Sequence, residues 1–167
     1  MTITQEHTTL AEVKSARKLI TPEQFLDVAS TVQGNNEGMA ANVAERITEE
    51  ALKFVAACSA APRARLKPSR VVDEGWHALI LHTAVYAELC RSLPRFVHHV
   101  PERPNITRHD PDALARTQAA IRKAGYDPDP AMWNGPTDNA IPVASSCEHS
   151  EPAPAGCGAD CSNTGPN

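Results

Sequence analysis

Four residues in the middle of the chain have side chains that bind metal ions: Asp73, His77, His98 and His99. Asp73 and His77 lie one helical turn apart within "VVDEGWHALILHTAVYAELC", so an α-helix would place them side by side. Pro94 is predicted to end that helix, and the following "RFVHHVP" is predicted to be extended. Because extended residues rise about 3.3 Å each, this segment is long enough to run back along the helix toward His77.

Only one of the two adjacent histidines can face the helix, because side chains alternate along an extended segment. The Asp73–His77 pair and that one histidine would supply three ligands for zinc or another divalent ion, with a fourth position open. The alternative is a structural polar network, in which Asp73 and His77 form a buried hydrogen bond. Because buried polar groups in proteins are usually hydrogen-bonded, this alternative is slightly favoured over a metal site. His82 is predicted to face solvent. Cys90 lies about 20 Å along a continuous helix from His77, which excludes it as a shared ligand.

A second set of ligand-type residues lies near the C-terminus: Cys147, His149, Cys157 and Cys161. Their spacing is not that of a zinc finger, but four such donors could close around zinc or copper(I). The alternative is a disordered tail with incidental cysteines. Its serines, threonine and cysteines also fit a ribosomal peptide precursor, in which residues 1–133 would be a folded leader.

The elements that would position these residues are predicted to be helices. The all-α prediction is a compact bundle of about four main helices, over residues 21–34, 37–60, 69–93 and 110–124, with an extended segment after the third. Residues 1–20 are predicted to form a polar N-terminal segment, 21–133 the helical domain and 134–167 a flexible tail in which apolar side chains are few.

The patterns within these helices are specific enough to test. Thr21 and Gln24 fit a capping box around Pro22, and Gly34 is predicted to end the first helix. In the second helix, Met39, Val43, Ile47, Ala51, Phe54 and Cys58 form an apolar stripe. Glu45, Arg46, Glu49, Glu50 and Lys53 are assigned to its polar side.

Composition excludes several classes of protein. The formal charge of −4 argues against a nucleic-acid or anionic-membrane partner, and the 167 residues contain no apolar run of membrane-spanning length. No secretory signal is recognised, so a cytoplasmic location is expected. The sequence contains no recognised catalytic constellation, which leaves enzymatic activity uncertain. A non-catalytic alternative is an interaction module that docks a protein partner through Trp76, Phe96 and Trp133.

The segment 72–102, "VDEGWHALILHTAVYAELCRSLPRFVHHVPE", resembles small actinobacterial proteins known as glycine-rich domain-containing protein-like. Their approximate pattern, V-D-x-x-W-H-x-x-I-L followed by R-F-x-H-H-x-P, is matched here at the positions of Asp73, His77, His98 and His99. The downstream "AIRKAGYDPDPAMW" and the Cys-containing tail are also similar. The glycine-rich segment behind that name is absent. The resemblance spans about 40–133 and implies a fold and a site region, but no reaction.

Overall fold

The computed structural model describes residues 13–100, 110–135 and 141–143, and all regular secondary structure within them is helical. Five α-helices are present: α1 (Pro22–Asn35), α2 (Ala41–Ala60), α3 (Arg70–Leu81), α4 (Thr83–Ser92) and α5 (Ala113–Lys123). Short 3-10 helices cover Ala16–Leu19 and Pro130–Met132. The all-α prediction is therefore confirmed. The tail residues Cys147, His149, Cys157 and Cys161, and with them the peptide-precursor hypothesis, lie outside the described residues.

The helix starts follow from the capping residues in the sequence. The Thr21 hydroxyl accepts from the Gln24 amide at 3.2 Å, and the Gln24 side chain accepts from the Thr21 amide at 2.9 Å, which completes the predicted capping box. Ser69 caps α3 by accepting from the Val72 amide at 3.1 Å. Several bounds differ from the prediction. Helix α1 continues through Gly34 to Asn35, and α2 begins at Ala41 instead of residue 37. Helix α5 spans Ala113–Lys123 instead of 110–124.

Helix α2 is the centre of the fold and packs against α1, α3 and α5. Its contact with α3 is closest at Gly75, where an added Cβ would lie 2.8 Å from the Ile47 carbonyl oxygen and 2.9 Å from the Ala51 Cβ. Only glycine leaves room for this approach, so Gly75 sets how deeply the first half of α3 is buried. That half carries Asp73.

The predicted third helix is broken at His82, which separates α3 from α4. The backbone there leaves the helical region, with φ −82° and ψ 65°. The predicted solvent-facing position of His82 is wrong. Its Nε2 lies 2.8 Å from the Thr31 hydroxyl of α1 in a half-buried contact, because the break removes the continuous helical rotation on which the prediction relied.

The polar side predicted for α2 is also wrong at two positions, since Glu50 and Lys53 are buried. Residues 127–133 pack over this part of α2 and cover both side chains. The Lys53 ammonium donates to Glu50 at 2.6 Å and to the Asp127 carbonyl at 2.7 Å, so each charge is compensated inside the protein.

Two described residues outside 21–133 also pack in the core. Ala16 is buried in the core, and so is Val143, whose carbonyl accepts from the Arg70 guanidinium at 2.8 Å. Among the described helices, none has the length and apolar character needed to cross a membrane.

Candidate metal centre

The candidate site begins on the first turns of α3. Asp73 is buried because Gly75, two residues on, lets this turn approach α2 closely. His77 follows one turn later on the same side of the helix, nearer the surface, with a third of its side chain exposed. Helix α3 therefore presents a buried carboxylate and a partly exposed imidazole together.

The segment of residues 95–100, here called the strap, runs back over the helices as the sequence predicts. Two side chains hold it. The Ser59 hydroxyl contacts both backbone groups of Arg95, donating to its carbonyl at 2.9 Å and accepting from its amide at 2.8 Å. The Tyr86 hydroxyl donates to the Val97 carbonyl at 2.6 Å. Ser59 of α2 and Tyr86 of α4 thus fix the path of the strap.

Alternation along the strap decides which histidine faces the helix. Val97 is buried, whereas Phe96 and Val100 are 50% and 71% exposed. His99 shares the inward side with Val97, and His98 is exposed on the outer side. His99 therefore joins the Asp73–His77 pair, and His98 does not.

The three side chains converge with nearly symmetric spacing about the carboxylate. His77 Nδ1 lies 3.5 Å from Asp73 Oδ2, and His99 Nε2 lies 3.5 Å from Asp73 Oδ1. One ligand-type atom from each residue can be chosen so that all lie within 4.8 Å of one another. The imidazole ring centroids are 4.6 Å apart.

These distances bear on the two alternatives left open by the sequence. A good N–H···O hydrogen bond measures about 2.7–3.2 Å, so the two 3.5 Å contacts between these side chains are longer than direct hydrogen bonds. Zinc–ligand bonds of about 2.0–2.2 Å would place tetrahedral ligands roughly 3.4 Å apart, close to the observed spacing. The cluster is thus arranged as a group that could hold a metal ion.

Trp76 forms one wall of this cluster. Its indole lies 4.5 Å from the His99 ring between centroids, and its Nε1 donates to the Tyr86 hydroxyl at 3.0 Å. Burial raises the pKa of the Tyr86 phenol, so this group stays protonated and can donate to the strap. The positioning roles of Tyr86 and Ser59 were not predicted from the sequence. For Tyr86 the signal was available, since a hydroxyl on an apolar helical face needs a partner.

The three aromatic residues predicted to dock a partner do not share one exposed surface. Trp76 and Trp133 are both buried, with Phe54 between them at centroid distances of 5.1 and 6.3 Å. The Trp133 indole donates to Glu50 at 2.7 Å. The two tryptophans are core residues because their N–H groups find internal acceptors, which leaves only Phe96 substantially exposed.

The fold and the cluster define a small helical protein with a candidate two-histidine, one-carboxylate metal site. Residues 16–124, which include α1–α5 and all three side chains, match the UCP032817-like family, and the chain belongs to this family. No curated protein and no solved structure matches the chain.

Proposed function

We propose that the protein binds one divalent metal ion through Asp73, His77 and His99, with zinc as the first candidate. The carrying observation is the convergence of these three side chains from two separate segments, with both N···O distances at 3.5 Å. The ligand types suit zinc, for which three protein ligands and an open position are typical of reactive sites. An accessible fourth position would hold water, whose pKa a bound zinc ion lowers.

The local surroundings support a site that is enclosed on one side and open on the other. Asp73 is buried on α3, Trp76 covers the His99 ring, and His77 reaches the surface. Such a shell restrains the ligands while leaving a path for the ion and for a fourth ligand. The same two-histidine, one-carboxylate set also binds iron(II) with open positions, so the identity of the metal has to be measured.

Metal analysis of untagged protein tests this proposal. All variants should carry serine at Cys147, Cys157 and Cys161, so that tail thiols cannot contribute ions. We expect one equivalent of metal after loading and desalting in this parent protein. The measurement is elemental analysis by mass spectrometry, combined with zinc titration against a competing chelator.

The adjacent histidines provide a matched pair of variants. His99→Ala should lose most of the bound metal, whereas His98→Ala, one residue away on the exposed side, should retain it. Asp73→Asn keeps the shape of the side chain and should also lose the metal. Circular dichroism checks that each variant is folded. A parent protein that binds no metal, or equal binding by the two histidine variants, would refute the proposal.

A further inference from the structure

A cleft on the other side of the strap is separate from the metal centre. It has a volume of about 280 Å³ and lies between α2, the linker 61–69 and the strap. Its apolar walls include three aromatic side chains, Phe54, Trp76 and Phe96. Trp76 lies between the two sites, since it lines the cleft and contacts the His99 ring. The two consecutive histidines of the strap therefore belong to different sites. His98 lines the cleft, and His99 is part of the candidate metal centre.

The charges around the cleft are all of one sign. Among the described residues, Arg65 and Arg95 line it and no aspartate or glutamate does, although the chain as a whole has a net charge of −4. Within the described part of the chain, neither of these two guanidinium groups forms an ion pair. Other arginines do form ion pairs, including Arg17–Glu45, Arg46–Asp129 and Arg116–Asp110. Two such guanidinium groups beside an apolar wall favour an anionic ligand.

The backbone at Arg65 is held in an unfavourable conformation. Its φ is +49°, in the left-handed region that non-glycine residues rarely adopt. Helix α5 clamps this turn, because the Arg116 guanidinium donates to the Ala64 carbonyl at 3.0 Å and to the Arg65 carbonyl at 3.2 Å. Strained backbone that is held by its surroundings is concentrated at functional sites. Here the held conformation belongs to a residue that lines the cleft.

The Cys58 thiol is also part of the cleft lining. Burial raises the pKa of Cys58 to about 12, so near neutral pH it remains a protonated, apolar part of the wall. The lining thus offers two cations and an aromatic surface, which are features of ligand binding.

We infer that this cleft binds a small organic carboxylate with a planar, aromatic body. Guanidinium groups bind carboxylates through paired, charge-assisted hydrogen bonds, and Arg65 and Arg95 would supply them. Phe96 and Trp76 would contact the ring of the ligand. The cleft volume lies slightly below the roughly 300–1000 Å³ usual for ligand sites, which fits a single-ring acid. The inference does not depend on a bound metal.

Titration of the full-length, metal-free protein with benzoate tests the inference, with benzamide as the neutral isostere and acetate as the anion without a ring. We expect benzoate to bind more tightly than either, as measured by ligand-observed NMR and calorimetry. Arg65→Gln and Arg95→Gln should each weaken benzoate binding by about tenfold or more, the effect of losing a hydrogen bond to a charged group. Arg63→Gln is the matched control, since Arg63 is exposed in the same linker and does not line the cleft.

A second variant separates the two parts of the ligand. Phe96→Ala removes a half-exposed ring and should weaken benzoate without changing acetate. Equal binding of benzoate and benzamide, or benzoate binding that neither glutamine variant weakens, would overturn the inference. Acetate binding as tight as benzoate would also overturn it, since the aromatic wall would then have no role. Because the titration uses metal-free protein, failure of the metal proposal would not change its outcome.

Discussion

Two buried carboxylates, Glu50 on α2 and Asp73 on α3, differ in how closely their partners approach. Glu50 accepts from the Lys53 ammonium at 2.6 Å, from the Asp129 amide at 3.1 Å and from the Trp133 indole at 2.7 Å. These partners come from α2 and from the segment that covers it. The Glu50 network is therefore closed, with each carboxylate oxygen bonded inside the protein.

Asp73 is surrounded differently, because its two histidine partners stand back at 3.5 Å on either side. The three partners of Glu50 lie at hydrogen-bond distance. The two histidines beside Asp73 are instead spaced like side chains that bind one ion. Burial and charge alone therefore do not identify a binding site. The distances to the partner side chains distinguish the Glu50 network from the Asp73–His77–His99 cluster.

Removing the Glu50 carboxylate should give the largest effect on stability. Glu50→Ala would leave the Lys53 ammonium with only the Glu49 carboxylate, 3.8 Å away, as a counter-charge. Breaking a buried pair in this way costs about 3–5 kcal/mol. Urea unfolding of the variant measures the loss. Glu45→Ala is the control, because its ion pair with Arg17 is solvent-exposed and should contribute less than about 1 kcal/mol. Similar losses in both variants would show that the Glu50 network is not a closed structural unit.

Added metal should stabilise the protein by binding to Asp73, His77 and His99, and it should not affect the Glu50 network. At a free zinc concentration roughly 100-fold above the dissociation constant, the parent protein should gain about 2.7 kcal/mol in unfolding free energy. Asp73→Asn should gain almost nothing under the same conditions, with the tail cysteines replaced in both proteins. Thermal or urea unfolding with and without zinc measures the difference. Equal stabilisation of the two proteins would place the bound ion elsewhere.

The Tyr86 hydroxyl contacts both the Trp76 indole and the strap that carries His99. Its removal should therefore affect both the stability of the protein and its affinity for metal. Tyr86→Phe removes the bond to the Val97 carbonyl and the acceptor for the Trp76 indole. We expect a stability loss of about 1–2 kcal/mol and a zinc affinity roughly 10–100-fold weaker, as for other residues that orient ligands.

Tyr126→Phe is the matched control for this change. Tyr126 is also buried, but its hydroxyl has no hydrogen bond among the described residues. Both chelator competition and urea unfolding should show little change in that variant. Unaltered zinc affinity in Tyr86→Phe would mean that the strap keeps His99 in place without this hydrogen bond.

Local signals in the sequence were enough to predict the helical fold class, the starts of α1 and α3, and the course of the strap. The Thr21–Gln24 capping box and the Ser69 cap depend on residues within one turn, and the structure contains both. Pro94 and the period-two alternation after it predicted that one histidine of the strap would turn inward. Which histidine does so depends on Val97 and on the Ser59 contact with Arg95, which join distant segments.

The features that sequence analysis missed are long-range for the same reason. Glu50 and Lys53 look like ordinary surface charges on α2, and only the packing of residues 127–133 makes them a buried pair. The break at His82 carries no proline or glycine, and the residue has a partner, Thr31, on another helix. Helical periodicity describes one element at a time, so it contains no information about such covering contacts.

The smallest effect on stability is expected at the exposed Arg46–Asp129 ion pair, which lies beside the Glu50 network. Its size tests whether that network extends to the surface. The Arg46 guanidinium contacts the Asp129 carboxylate at 2.6 Å, but the two side chains are 45% and 27% exposed. Arg46→Ala should cost less than about 1 kcal/mol, since water replaces the lost contact and the other Asp129 oxygen keeps its bond from the Ala131 amide at 3.1 Å. Urea unfolding at low and high salt checks this, because the small difference should shrink as salt screens the exposed pair. A loss as large as that in Glu50→Ala would extend the closed network to the surface, and the contrast with Asp73 would then rest on the spacing of the histidines alone.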